Sequence, residues 1–148
     1  MNRNGHVIII DRYTRSLIKA NPTALFVFGD NLARVGYGGQ AGEARGCHNA
    51  VGIPTKISPS EYIFDDLVEE DIDRFKKPVI EAFAKLRHHL REGGTVVWPK
   101  DGVGTGLARL HITAPRFLNA IEVVKDEVFS EALSVTHQTL NQIEQGNI

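Results

Sequence analysis

Phe26-Val-Phe-Gly-Asp-Asn-Leu-Ala-Arg-Val-Gly-Tyr-Gly-Gly-Gln-Ala41 is the stretch that decides the fold of this chain. Its apolar start, residues 25–28, predicts a buried strand, which we expect to break at Gly29-Asp-Asn31. Three glycines follow within four positions, and from Gln40 the chain becomes compatible with a helix. This order suits phosphate binding, because glycine lets backbone N–H groups approach an anion and a helix N-terminus adds partial positive charge.

A second glycine-rich turn, Asp101-Gly-Val-Gly-Thr-Gly-Leu107, follows another apolar run at residues 95–98. In open α/β sheets, ligands bind beyond the carboxyl ends of the strands, so both turns can line one crevice. Neither turn has the Gly-Lys-Ser/Thr ending of a P-loop, and the first does not match the dinucleotide-binding glycine fingerprint. The alternative is that the glycines only turn the chain.

Composition fits one globular domain over residues 1–148, since apolar residues make up 42% and charged residues 24% of the chain. A formal net charge of −1 argues against a nucleic-acid-coating protein. The apolar run at residues 7–10 is too short for a signal peptide or a membrane span. We therefore expect a cytoplasmic protein without a membrane partner, and the oligomeric state is left open.

Strands and helices are predicted to alternate along the chain. Further strands are expected at residues 7–10 and 50–53, the latter ended by Pro54, with a loop at residues 57–62. Helices are expected at residues 15–20 capped by Thr14, at 40–45, at 78–91 with Pro78 in the first turn, and from 113 or 114 onward. Residues 129–135 suit either a strand or a helix, and the tail from Gln142 is expected to fray.

This alternation predicts an α/β fold, a three-layer α/β/α sandwich around a mixed, mostly parallel sheet. The fifteen candidate site residues all belong to the two glycine-rich turns, the first at residues 29–40 and the second at residues 101–107. Asp30, Asn31 and Asp101 are the candidate catalytic residues, because two carboxylates at one crevice can activate a water, while the alternative for each is turn formation. The candidate ligand-binding residues are Gly29, Gly36, Tyr37, Gly38, Gly39, Gln40, Gly102, Val103, Gly104, Thr105, Gly106 and Leu107.

The cysteine and histidine side chains outside the two turns are predicted to have no catalytic or metal-binding role. The single cysteine, Cys47, is interpreted as a small half-buried residue rather than a catalytic thiol. No histidine spacing suits a metal, and His88 and His89 diverge on a predicted helix, so neither a metal nor a cofactor is expected. The basic residues near the two turns can serve a diphosphate or be solvated surface cations: Arg34, Arg45, Lys56, Lys100 and Arg109.

The order of these segments resembles the macrodomain superfamily of ADP-ribose-binding α/β/α modules, and most closely its small bacterial and phage macro-like members. Residues 26–31 are similar to the strand that ends in an asparagine, residues 36–41 to the glycine-rich loop before a helix, and residues 51–54 to a following strand. Residues 96–99 with 102–107 resemble the strand and diphosphate loop. The sequence has Gly29-Asp-Asn31 where typical members have an Asn-Ala-Ala-Asn run.

The resemblance implies that the chain binds ADP-ribose or a related NAD-derived nucleotide. It places Asn31 at the distal ribose, Gly38-Gly39 and Gly104-Thr-Gly106 at the diphosphate, and Asp11 or a neighbour at the adenine edge. Hydrolysis of an ADP-ribosyl bond is one hypothesis, in which Asp30, Asn31 and Asp101 orient a water. The alternatives are a non-catalytic, Rossmann-like nucleotide sensor and a structural or interaction protein without a ligand.

Overall fold

A computed structural model describes residues 4–65 and 69–138, with the backbone alone for residues 69–73. The strands and helices of these ranges largely alternate, as the sequence predicts, but at one place two strands and at another two helices follow each other directly. In chain order they are β1 (His6–Ile10), α1 (Arg15–Ala20), β2 (Leu25–Asn31), α2 (Ala41–Ala44), β3 (Ala50–Ser58), β4 (Glu61–Tyr62), α3 (Glu69–Arg91), β5 (Thr95–Pro99), α4 (Leu110–Thr113), α5 (Pro115–Phe129) and β6 (Ser134–Gln138).

Within the described ranges the strands form one six-stranded sheet in the order β4-β3-β2-β5-β1-β6. Every neighbouring pair is parallel except β3 and β4, which are antiparallel. The predicted mixed, mostly parallel sheet is therefore confirmed. β2 and β5, the two strands that precede the glycine turns, are direct neighbours at the centre of this sheet.

Two apolar layers cover the sheet, because alternate residues of each strand point to opposite faces. On one face, Val27 and Val96 join the core that α3 and α5 cover. On the other face, Phe26 and Val97 join a smaller core under α1 and α2. Trp98 lies in the larger core, with its ring 5.3 Å from Phe129 in an edge-to-face contact. Helices on both faces of the sheet give the α/β/α arrangement.

Two strands run further than predicted. β2 continues through Gly29-Asp-Asn31 because these residues pair with β3 up to Lys56. β3 continues through Pro54, which pairs with Asp30 on the β2 side. On its other side β3 pairs with β4 only at Lys56 and Ser58. Because no described strand pairs with Pro54 on that side, its missing N–H costs no hydrogen bond between β3 and β4. The predicted loop at residues 57–62 is instead the end of β3, a tight turn and β4.

The helix that was expected to begin at Pro78 begins at Glu69, and Pro78 lies inside it. Phe75, one turn before the proline, is buried against Phe117 of α5 with ring centroids 5.8 Å apart. This packing favours helix on both sides of Pro78 despite the lost intrahelical hydrogen bond. At the other end of the chain, the segment left open at residues 129–135 is the end of α5, a turn and the start of β6. The tail from Gln142 lies outside the described residues.

Candidate ligand-binding site

A cavity of about 270 Å³ lies at the carboxyl ends of β2 and β5 and is lined by both glycine turns. The two turns approach each other closely. A Cβ atom built on Gly29 would lie 3.7 Å from the amide nitrogen of Gly104, and one built on Gly38 would lie 2.9 Å from Cδ1 of Leu107. The sequence predicts this meeting of the two turns because each turn directly follows a strand.

Thirteen of the fifteen candidate residues line this cavity. They are Gly29, Asp30, Asn31, Gly36, Tyr37, Gly38, Gly39, Gln40, Gly102, Val103, Gly104, Gly106 and Leu107. Asp101 and Thr105 do not; they line a neighbouring groove, and the Thr105 hydroxyl donates to the carbonyl oxygen of Asp101 at 2.7 Å. The two candidate carboxylates, Asp30 and Asp101, therefore do not line a common cavity.

The backbone of both turns carries runs of N–H groups that find no hydrogen-bond acceptor in the described part of the chain. Within residues 4–65 and 69–138, no acceptor is found for the amides of residues 36–40 or of residues 103–107. Positive φ angles at Gly36 and Gly39, and at Gly102 and Gly104, accompany these runs. Successive amides around such left-handed residues can turn toward one concave point, which is a backbone geometry that binds anions.

Only some of these glycines are required by the fold. Gly104 has a φ of +88°, and a Cβ atom there would lie 2.4 Å from Cδ1 of the buried Leu110. Gly106 has no positive φ, and a Cβ atom there would meet nothing within 4 Å. The fold therefore explains the glycine at position 104 and leaves the one at position 106 unexplained.

Asp30 is buried at the end of β2 and forms two ion pairs. Its Oδ2 lies 3.1 Å from Nη1 of Arg34, and its Oδ1 lies 2.5 Å from Nη2 of Arg45. The same Oδ1 accepts the backbone N–H of Asn31 at 2.8 Å. Both carboxylate oxygens are thus engaged by the protein itself.

The side-chain amides of Asn31 and Gln40 also form hydrogen bonds with the backbone. The Nδ2 of Asn31 donates to the carbonyl oxygen of Val35 at 2.7 Å, which closes the start of the first turn. The Nε2 of Gln40 donates to the carbonyl oxygen of Tyr13 at 2.7 Å, and its Oε1 accepts the N–H of Tyr13 at 3.3 Å. These contacts tie the first turn to β2 and to the segment after β1.

Several residues that line the cavity were not predicted to do so: Val35, Ala41, Arg45, Thr55, Lys56, Pro59, Pro99 and Ala108. Thr55 and Pro59 were missed because β3 was expected to end at Pro54. Arg45 and Lys56 had been noted only as nearby cations. Their basic side chains, in the chain that follows the first turn, are the one sequence signal that points to them.

Two grooves continue from the cavity across Gly39 and Gln40. The first groove, about 640 Å³, is lined by Asp11, Arg12, Asp101, Thr105 and His111 together with residues of both turns. The second groove, about 650 Å³, is lined by Arg12, Tyr13, Thr14, Tyr37 and Glu43 with residues of the first turn. Arg12 is exposed between the two grooves, and Tyr37 is 73% exposed at the cavity mouth.

Two shifted side-chain pKa values belong to groups outside the cavity itself. Complete burial raises the pKa of the Tyr13 phenol, whose hydroxyl has no hydrogen-bond partner in the described residues. Burial lowers the pKa of His89 near the end of α3. In the part of the chain that the structure describes, no three His, Cys, Asp or Glu side chains are grouped to hold a metal ion.

The fold and the cavity define a three-layer α/β protein with a glycine-rich crevice at the carboxyl ends of its central strands. The model of a family of unknown function, DUF7831, matches residues 8–124, and the chain belongs to this family. No match is found among curated proteins or among solved structures. Among the described helices, none has the length and apolar character needed to cross a bilayer.

Proposed function

We propose that this protein binds ADP-ribose or a related NAD-derived nucleotide, with the diphosphate over the two glycine turns. The observation that carries the proposal is the pair of amide runs at residues 36–40 and 103–107, which lack acceptors in the described residues and belong to turns lining one cavity. Such amides bind phosphate oxygens without a dedicated cationic side chain.

The size of the cavity supports a ligand that extends beyond it. Small-molecule sites commonly have volumes of about 300–1,000 Å³, and this cavity has about 270 Å³. It can hold the ribose-phosphate end of the nucleotide, and the remainder then occupies an adjoining groove. Asn31, Thr55 and Lys56 line the cavity that would hold this end.

The first groove suits the nucleoside at the other end of the ligand. Asp11 and Asp101 line it with carboxylates, which accept hydrogen bonds from an exocyclic amine or from ribose hydroxyls. The groove shares Gly102 and Gly106 with the cavity, so a diphosphate lying over the second turn leads directly into it. The proposed ligand therefore runs from the cavity, across the turns, to Asp11.

Binding without turnover is the form of this function that the contacts favour. Hydrolysis by a water held between Asp30 and Asp101 would need both carboxylates at one place and Asp30 free to accept a proton. Asp30 instead contacts Arg34 and Arg45, and Asp101 lines the first groove. A nucleotide sensor or carrier requires only the amide runs and the grooves.

The test is a calorimetric titration of the protein with ADP-ribose, NAD, inorganic pyrophosphate and adenosine, followed by thermal unfolding in each ligand. We expect ADP-ribose to bind and pyrophosphate to compete with it, while adenosine binds far more weakly because it lacks the phosphates. At a hundred times Kd, binding stabilises the native state by about 2.7 kcal/mol. If ADP-ribose and pyrophosphate leave the melting temperature unchanged, the glycine turns serve only the chain's own conformation. An assay for ADP-ribose release from a modified peptide then separates a binder from a hydrolase.

A further inference from the structure

Arg45 lies directly behind the first glycine turn, with its side chain only 14% exposed. Its Nε donates to the carbonyl oxygen of Gly36 at 2.6 Å, and its Nη2 donates to the carbonyl oxygen of Val35 at 3.2 Å. One guanidinium group thus holds two successive carbonyl groups of the turn. The planar, rigid fork of arginine donors makes this possible, whereas a lysine ammonium offers one point charge.

These contacts also set the direction of the N–H groups in the same peptide units. In a trans peptide the carbonyl and N–H groups point in opposite directions, and the described residues contain no cis peptide bond. Because the carbonyl groups of Val35 and Gly36 point at Arg45, the N–H groups of Gly36 and Tyr37 point away from it. Neither N–H has an acceptor among the described residues.

Asp30 fixes the guanidinium in this position. Its carboxylate, on a side chain only 3% exposed, lies 2.5 Å from Nη2 of Arg45. Gly52 on the neighbouring strand makes room for the ion pair, since a Cβ atom there would lie 2.5 Å from Oδ2 of Asp30. A charge-assisted hydrogen bond of this kind, largely removed from solvent, holds its partners more strongly than a neutral one.

A second open space lies behind the turn. A separate cavity of about 350 Å³, lined by Arg34, Cys47 and Lys85 among others, shares Asp30 and Arg45 with the candidate site. The ion pair therefore forms a wall between two open spaces. Polar contacts hold the first turn: those of Arg45, the Asn31 contact to Val35 and the two contacts of Gln40 with Tyr13.

We propose that Arg45, held by Asp30, is a positioning residue that keeps the amides of the first turn directed at the bound diphosphate. This inference rests on the proposed function. Without the guanidinium, the carbonyl group of Gly36 loses its hydrogen-bond donor and that of Val35 keeps only Nδ2 of Asn31 among the described residues. A carbonyl oxygen that turns into the cavity repels a phosphate. Arg45 acts on the ligand through the backbone, so ADP-ribose and bare pyrophosphate should depend on it equally.

The experiment compares the affinity of wild type, Arg45→Lys, Asp30→Asn and Arg34→Gln for ADP-ribose and for inorganic pyrophosphate. For Arg45→Lys and Asp30→Asn we expect both ligands to bind about 10- to 100-fold more weakly, as for the loss of charge-assisted hydrogen bonds. Arg34→Gln is the matched control: it also removes an ion pair with Asp30, but its other contact is the carbonyl oxygen of Gly52, 2.9 Å away, and not the turn. It should keep wild-type affinity.

Circular dichroism and the melting temperature of each variant show that the folded protein is being titrated, and Asp30→Asn provides a second variant if Arg45→Lys does not fold. Wild-type affinity in folded Arg45→Lys or Asp30→Asn would overturn the inference and leave the proposed function standing. An equal loss of affinity in Arg34→Gln would also overturn the inference. The loss would then follow from the removal of either ion pair of Asp30 and not from the contacts of Arg45 with the turn. Absence of binding by the wild type to both probes would overturn the proposed function itself.

Discussion

Gly104 and Gly106 stand two residues apart in the second glycine turn, yet the fold constrains only one of them. At position 104 a methyl group meets Leu110 and the backbone has a positive φ, whereas at position 106 a methyl group meets open space. The fold does not require a glycine at position 106, which lies at the edge of a cavity whose turns carry amides without acceptors in the described residues. Close approach of a ligand to the backbone would explain this glycine.

Substitution of these two glycines should separate stability from binding. We expect Gly106→Ala to keep the wild-type melting temperature but to weaken ADP-ribose binding, because the methyl group occupies space over the turn. Gly104→Ala should be destabilised by at least about 1 kcal/mol, from the positive φ and the collision with Leu110. Differential scanning calorimetry with and without ADP-ribose measures both effects. Unchanged affinity in Gly106→Ala would remove the second turn from the proposed site.

His89 leads to a second prediction at the scale of a single residue, which concerns the pH dependence of stability. Burial lowers its pKa, the nearby backbone of Thr23 and Thr95 partly opposes this, and the neighbouring basic side chains of His88 and Lys85 lower the pKa further. The folded protein therefore binds this proton less readily than the unfolded chain, whose histidine pKa is about 6.5. The stability that the neutral His89 contributes is therefore fully present above the pKa of the unfolded chain. It is lost as the pH falls from that pKa toward the lower pKa of the folded protein.

The measurement is the free energy of unfolding in urea between pH 7.5 and 5.5 for wild type and His89→Gln. We expect the loss of stability toward acid to be shallower in His89→Gln. The adjacent His88, which is exposed, provides the matched control, and His88→Gln should change the slope less than His89→Gln does. If the two variants behave alike, the buried imidazole of His89 is not the source of the acid sensitivity.

At the scale of the element, α1 and α5 begin with caps of different origin. The hydroxyl oxygen of Thr14 accepts the N–H of Leu17 at 3.1 Å, which is a local cap that the sequence predicted. The carboxylate of Asp65 accepts the N–H groups of Arg116 at 2.9 Å and Phe117 at 3.2 Å, although Asp65 lies about fifty positions earlier in the chain. A carboxylate in this position also interacts favourably with the positive end of the helix dipole.

Removal of the distant cap should cost as much as removal of the local one. We expect Asp65→Ala and Thr14→Ala each to lower the free energy of unfolding by about 1 kcal/mol. Glu127→Ala, an exposed carboxylate on α5 itself, is the control and should change stability by less than about 0.5 kcal/mol. Urea unfolding measures all three. A wild-type value for Asp65→Ala would show that the start of α5 is held by packing alone.

These elements also show where sequence patterns suffice. α1, β1 and β5 are set by local apolar runs and a local cap, so their bounds were predicted closely. The passage of β3 through Pro54 depends on which side of the strand is paired, and the early start of α3 depends on Phe75 meeting Phe117. For the site, glycine spacing identified both turns, but the Asp30–Arg45 contact joins residues from different elements and no local pattern contains it.

At the scale of the whole molecule, the two apolar layers share one sheet. Leu86 of α3 and Ile18 of α1 are both fully buried, on opposite faces. The fluorescence of the single tryptophan, Trp98, reports on one face of the sheet, since its ring contacts Phe83 and Phe129 in the larger core. Because β5 contributes Trp98 to one face and Val97 to the other, loss of either layer exposes the same strand.

We therefore expect the molecule to unfold as one cooperative unit. Leu86→Ala and Ile18→Ala should each lower the free energy of unfolding by about 2–5 kcal/mol. In both variants, Trp98 fluorescence and far-ultraviolet circular dichroism should give the same urea midpoint, even though Ile18 lies on the face that Trp98 does not report. If Ile18→Ala shifted the circular dichroism midpoint and left the fluorescence midpoint at the wild-type value, the layer of α1 and α2 would unfold separately. The first glycine turn, which leads into α2, would then be able to open without loss of the larger core.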